Sequence, residues 1–173
     1  GPENPIQLYE HEGNDTLTVS THSDGFLRVA SFNSDRVYTF DPSTDSLVDP
    51  EGMDVGETED LEGLIQTVEL PSGEQLGLFS IANTLSHWSE PGDVATGIGA
   101  VGPIANWLEV AEDVVFVVNS GVNNLSRYHW ETGMMDEQFS VFDVGAGPWE
   151  MDADTSRDLG VVSLNQSQAV VFV

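Results

Sequence analysis

Val114–Gly133, VVFVVNSGVNNLSRYHWETG, reads as strand, turn, strand, turn. Val114 to Val118 is an unbroken run of Val and Phe, the pattern of a strand buried on both faces. Asn119 and Ser120 end that run. A second apolar run follows at 124–129 and closes on the acidic turn Glu131-Thr132-Gly133. Upstream, 105–111 supplies a preceding strand joined through a tight Glu112-Asp113 turn, and 134–142 supplies a following one. The unit therefore holds four short antiparallel strands.

The same order recurs along the chain. LRVASFNSDRVYTFDPSTD spans Leu27–Asp45, LGLFSIANTLSHWSEPGD spans Leu76–Asp93, and LGVVSLNQSQAVVFV spans Leu159–Val173. Each places an Asn after an apolar run: Asn33, Asn83, Asn119 and Asn165, separated by 50, 36 and 46 residues. An aromatic precedes an acidic turn in the first three copies (Phe40, Trp88, Trp130). Between copies, GAVGPIANW at Gly99–Trp107 matches GAGPWE at Gly145–Glu150. Asp, Pro, Ser and Gly clusters of this kind are turn formers. The acidic segment Asp49–Gly63 has little apolar content and reads as a loop. Four short strands repeated at 40–50 residues predict an all-β chain of β-propeller blades.

VFVVNSGVNNLSRYHWETG followed by GAGPWEMDAD resembles the YVTN-type propeller repeat, well in the third unit and at the start of the fourth, partly in the first and weakly in the second. Gly1-Pro2 reads as a cleavage scar, with 1–4 a scar or linker, so the natural protein is expected to be longer and a leader or anchor to have been cut away. The propeller domain is expected over 5–173, with blades at about 15–50, 61–101, 104–143 and 148–173. The strand at Pro5–Glu10 is expected to complete the fourth blade beside Gln168–Val173 and so close a four-bladed ring. The resemblance implies about seven blades, which leaves a second possibility: the four are part of a larger ring, completed by another segment or by self-association with another copy.

There are 30 acidic and 4 basic residues, the latter all Arg (Arg28, Arg36, Arg127, Arg157), for a net charge of −26. That repels nucleic acid and anionic lipid. Adaptation to high salt, a calcium-loaded surface and an ordinary acidic exterior each fit, and the absence of Lys points to the first. No apolar run reaches the length of a membrane helix. Without cysteine, disulfides and thiolate chemistry are excluded.

In a blade, the turn between strands two and three shares a rim with the loop entering the next blade. Asn33, Asn83, Asn119 and Asn165 are therefore expected on one face, with Trp107 and Trp149 beside them. They form either a rim for a polar ligand or cation, or turn formers and packing rings. Asp152, Asp154 and Asp158 in DADTSRD alternate like calcium ligands but fall where a hairpin turn is due. His11, His22, His87 and His129 share no zinc spacing, and no catalytic motif occurs. No cofactor is called for beyond Ca2+ or another cation. Two function classes follow. One is a non-catalytic extracellular or cell-surface module that binds a ligand or protein partner, or builds a surface assembly. The other is a propeller enzyme, lactonase-like or quinone-dependent, with a central site on the Asn-loop face. The rim chemistry favours the first.

Overall fold

The computed structural model describes residues 16–89 and 96–173. Sixteen strands form among them, in four antiparallel sheets taken in chain order. The first sheet holds β1 (Thr16–Thr21), β2 (Leu27–Ser31), β3 (Arg36–Asp41) and two short pieces, β4 (Ser46–Leu47) and β5 (Met53–Asp54), both paired with β3. The second holds β6 (Leu64–Glu69), β7 (Gln75–Phe79), β8 (Thr84–Trp88) and β9 (Thr96–Ala100). The third holds β10 (Ala105–Ala111), β11 (Val114–Asn119), β12 (Asn124–His129) and β13 (Met134–Val141). The fourth holds β14 (Pro148–Asp154), β15 (Leu159–Leu164) and β16 (Ala169–Phe172). A single 3-10 turn, Thr155–Arg157, links β14 to β15.

The third sheet shows why these runs are strands. Val115 and Val117 pack toward the second sheet, while Phe116 and Val118 pack toward the fourth. Period-2 alternation in a strand with neighbours on both sides demands apolar residues at every position. The same rule explains β7, where Leu76 and Leu78 face the third sheet and Phe79 faces the first.

Lone sheets of short strands are marginal in water. Here the sheets hold one another through three apolar clusters, one per junction. Ala30, Val37, Val55, Leu64, Phe79 and Trp88 join the first sheet to the second. Leu76, Leu78, Leu85, Leu108, Val115 and Val117 lie between the second and third. Val118, Leu125, Met151, Val162 and Leu164 lie between the third and fourth. Each Val, Leu, Met or Phe side chain among them contributes about 1.5–3 kcal/mol when fully buried. Polar bonds between inner strands add register: Thr18 Oγ1 donates to the Ile65 carbonyl at 2.7 Å. The Gln66 amide clasps Leu108 twice, donating to its carbonyl (3.0 Å) and accepting from its N–H (2.6 Å). In this way β1 lies on β6, β6 on β10 and β10 on β14. Among the described residues β14 has no comparable contact with β1, and no fourth cluster joins the last sheet to the first. The expected closing strand at Pro5–Glu10 lies outside the described residues.

One expectation needs correcting. The acidic segment 49–63 is not wholly loop. Met53–Asp54 pairs with β3, and the Val55 N–H donates to the Asp35 carbonyl at 3.0 Å. Val101 makes the same bond to Asn83 and Phe142 to Asn123, so 53–55 is the first sheet's counterpart of the ends of β9 and β13. The apolar content of Met53-Asp54-Val55 is too short to register as a strand by pattern alone.

Candidate functional site

The rim where four Asn were expected is built from turns of four residues between strands two and three of each sheet. The last residue of every turn is left-handed: Asp35 (φ 49°), Asn83 (φ 56°), Asn123 (φ 52°) and Gln168 (φ 53°). Asn33, Asn83, Asn119 and Asn165 therefore do not hold equivalent places. Asn33 is second in its turn, Asn83 fourth and Asn165 first, while Asn119 is the last residue of β11. The uneven spacing of the four was the sign of this in the sequence.

Their side chains are used differently too. Asn119 is fully buried. Its Nδ2 donates to Asn124 Oδ1 and Ser126 Oγ, both at 2.8 Å, and its Oδ1 accepts the Gly102 N–H at 3.0 Å. Asn83 donates to the Ile81 carbonyl at 3.2 Å, within its own turn. Asn33 and Asn165 are exposed. Asp35 does the comparable work in the first sheet: its buried carboxylate accepts the N–H groups of Glu62, Gly63 and Leu64 at 2.7, 2.7 and 2.8 Å. Asn123 accepts the Gly147 N–H at 2.9 Å. Sequence reasoning missed Asp35 and Asn123 because neither directly ends an apolar run.

The residue entering each of β6, β10 and β14 is also left-handed: Gly63, Ile104 and Gly147. Their carbonyls accept the N–H of Ser80, Ser120 and Asn165. Aligned on these bonds, Ile104 matches Gly147, and Asn106 matches Trp149. The two tryptophans that the sequence match equated thus differ in environment. Trp107 lies against the cluster between the third and fourth sheets with its Nε1 buried and unpaired. Trp149 is exposed, and its carbonyl accepts from Asn106 Nδ2.

Two grooves lie between sheets. A groove of about 410 Å³ separates the third and fourth. Its apolar wall is Phe116, Phe139, Met151 and Leu159, and its carboxylates are Glu112, Asp113, Asp154 and Asp158. Arg127 stacks on the Phe139 ring at 4.3 Å and reaches Asp136 at 3.5 Å. The stacked ring shields a buried Nε that has no hydrogen-bond partner. A wider groove, about 740 Å³, lies between the first and second sheets, with Phe26, Met53 and Trp88 as wall and Asp24, Asp49, Asp54 and Glu69 as carboxylates. Arg28 repeats the theme there, over Phe26 at 5.7 Å and bonded to Asp24 at 2.5 Å. A third hollow, about 640 Å³, gathers Asn33, Asp35, Asp54, Glu57, Glu59 and Asp60 around the acidic loop.

Of the displaced titrating groups, Glu109, His22 and Asp24 lie against these junctions. Glu109, half-buried between β10 and β14, is pushed above the usual carboxylate range by burial and by the charge of Asp152. The Ala153 N–H opposes this by favouring the ionised form; the nearby Trp107 indole pulls weakly the same way without a well-formed hydrogen bond. Burial, then Arg28, lowers His22, against the pull of Glu69 and Asp24. For Asp24 the burial effect is outweighed by bonds from the Phe26 N–H and Arg28, so it falls. The calcium candidates close a hairpin: Asp154 accepts from Ser156 Oγ at 2.5 Å and pairs with Arg157 at 3.3 Å, and Asp158 is left-handed. Among the described residues no three His, Asp or Glu converge as a metal site.

Comparison with solved structures places this arrangement. Streptogramin B lyase superposes with a TM-score of 0.77 at 12% identity, over 96% of this chain and 53% of that one. The Swd1 β-propeller domain of Myceliophteria thermophila superposes at 0.65 and 10%, over 93% and 54%. The fold is that of a β-propeller. The extracellular domain of a two-component system of B. thetaiotaomicron matches at 0.63 and 12%, over 86% of this chain and 19% of that one. The chain spans about half the length of the first two. No protein-family model and no curated protein matches it.

Proposed function

We propose that this propeller segment is a non-catalytic binding module of an extracellular or cell-surface protein, and that it takes a cationic group carried on an apolar body. The observation that carries this reading is the groove between the third and fourth sheets, where Phe116, Phe139, Met151 and Leu159 stand beside Glu112, Asp113, Asp154 and Asp158. Apolar wall and a few placed charges are what a small-molecule or side-chain site needs. With a net charge of −26 on the chain, a cation is also steered toward it. Neighbours described as extracellular domains support the location.

Calorimetry tests it with acetyl-Phe-Lys-Phe-amide and, as control, acetyl-Phe-Glu-Phe-amide. The lysine peptide should bind and the glutamate peptide should not. Asp113→Asn and Asp158→Asn should each weaken binding about 2–5-fold, the effect of about 0.5–1 kcal/mol for an exposed ion pair. Equal binding of both peptides, or none, refutes the reading. The same titration with phenethylammonium distinguishes a small free ligand from a side chain presented by a protein.

The reading as a propeller enzyme draws support from the Glu109–Asp152 pair, in which burial keeps Glu109 protonated to higher pH, as a general acid requires. Lactone hydrolysis by the chain, abolished in Glu109→Gln, would favour it.

A further inference from the structure

We propose that the rim carrying the turns between strands two and three is a docking surface for a protein partner, and that this partner presents apolar side chains flanked by Lys or Arg. The loops of the rim are tied to one another in chain order. The Val101 N–H donates to the Asn83 carbonyl, the Gly121 N–H to the Pro103 carbonyl, and the Gly147 N–H to Asn123 Oδ1. Along that path stand Ile81, Ile104, Val122 and Trp149, which are 49%, 60%, 42% and 47% exposed. Leu61, in the loop before β6, and Val144, in the loop before β14, are exposed on the same rim. The turns joining β1 to β2, β6 to β7, β10 to β11 and β14 to β15 form the other rim. Among the described residues those turns carry no exposed large apolar side chain. Apolar exposure gathered on one side marks an interaction surface.

Two features set this patch apart from incidental exposure. Its side chains are seated against bare backbone. A Cβ on Gly63 would stand 2.8 Å from Ile81 Cγ1, one on Gly102 2.7 Å from Val122 Cγ2, and one on Gly121 3.2 Å from Ile104 Cγ1. Side chains held in place lose little freedom on binding. Ile104 is also kept at a cost. It is β-branched at φ 53°, where the matching residues Gly63 and Gly147 carry no side chain. Its exposure means that packing within the chain does not repay the strain, and strain of this kind clusters at binding sites. Charge names the partner. Glu59, Asp60, Asp143 and Glu150 are exposed around the patch. Of the four arginines Arg36 alone stands at this rim, and its Nη1 is spent on the carbonyls of Glu51 and Gly52 at 2.8 and 2.9 Å. An apolar centre with an acidic border fits an apolar segment with cationic flanks. The surface is separate from the groove between the third and fourth sheets, whose carboxylates lie at the other rim, and does not depend on what that groove takes.

Short random peptides displayed on phage and selected on the immobilised chain supply the probe. The enriched sequences are resynthesised and titrated by fluorescence anisotropy. The expected consensus joins Leu, Ile, Phe or Trp to Lys or Arg, and affinity should fall as KCl rises. Ile104→Gly and Trp149→Ala should each raise Kd at least ~10-fold, as loss of a central interface contact does. Ile104→Gly is the sharper variant because it relieves strain: its urea midpoint should not fall while binding does. Trp149→Ala keeps the carbonyl to which Asn106 Nδ2 donates, and reads the same contact if Ile104→Gly fails to fold. Asp113→Asn, in the groove, should leave Kd unchanged. No enriched peptide, an acidic or uncharged consensus, or a Kd indifferent to both rim variants overturns the proposal. So does a chain that sediments as a dimer and becomes monomeric in Ile104→Gly, because the rim then meets a second copy.

Discussion

Replacing Asp35 tests the reasoning about the turns most directly. Its carboxylate is 5% exposed and takes three backbone N–H groups of the loop that leads into β6, at 2.7–2.8 Å. Leaving a buried N–H without an acceptor costs about 1–3 kcal/mol, more when the lost acceptor is charged. In Asp35→Ala all three lose their partner, and alanine must also hold φ 49°, which adds about 1–2 kcal/mol. Partial entry of water offsets some of this, so the expected loss is about 4–6 kcal/mol. Asp35→Asn isolates the side-chain chemistry, because Asn tolerates the left-handed backbone. One oxygen still serves Gly63 and Leu64, but the new amide group faces the Glu62 N–H, donor against donor. The expected loss is about 1–3 kcal/mol. For a chain of this size that lowers Tm by about 2–4 °C per kcal/mol. Urea unfolding at constant m-value gives the free energies. If Asn stays within about 0.5 kcal/mol of the parent, or if Ala is no worse than Asn, the carboxylate does not hold the loop and the account of the rim fails.

Ile104→Gly should stabilise by up to about 1 kcal/mol: Ile104 is β-branched at φ 53° and 60% exposed, and relief of about 1–2 kcal/mol of strain exceeds the entropy cost of glycine. A lower Tm would refute it. Gly77→Ala should destabilise by about 1–3 kcal/mol, since its Cβ would stand 2.8 Å from the Trp88 ring and 3.0 Å from Phe79 at a packed junction; an unchanged urea midpoint counts against the packing described. Glu109→Gln should raise stability at pH 7. Burial holds the folded-state pKa above the ordinary 4.5, so ionising Glu109 opposes folding. That cost is absent at low pH, builds as pH rises through the window above 4.5, and is complete beyond the folded value, so the variant's advantage should vanish near pH 3–4. An advantage independent of pH would assign it to packing. Finally, thermal stability should rise steadily from 0.1 to 2 M KCl as the 30 carboxylates are screened; indifference to salt would remove the high-salt reading.

Much of the strand pattern could be read before any coordinates. The Val/Phe run of β11 announced a strand with neighbours on both sides, and the third copy placed β10, β12 and β13 within a residue of where they lie. Hydrophobic period is a local property, and local properties survive in a linear string. The turns were harder. Asn119 was visible because it ends an apolar run, yet its amide is enclosed in hydrogen bonds, while Asp35, equivalent to Asn83 and Asn123, looked like one more acid among 30. Only the left-handed backbone and the N–H groups waiting opposite single it out. Both grooves were invisible for the same reason: each wall comes from a different sheet, and nothing in the spacing of Phe139 and Leu159, or of Phe26 and Trp88, says that they face one another. The amino-acid order by itself determined that this chain makes short antiparallel strands in repeating sets. Which faces of those sets meet, which polar groups that meeting consumes and which faces remain open were decided by the tertiary structure, because junctions between sheets form through contacts distant in the chain, 42 and 47 positions apart for the bonds of Gln66 and Thr18.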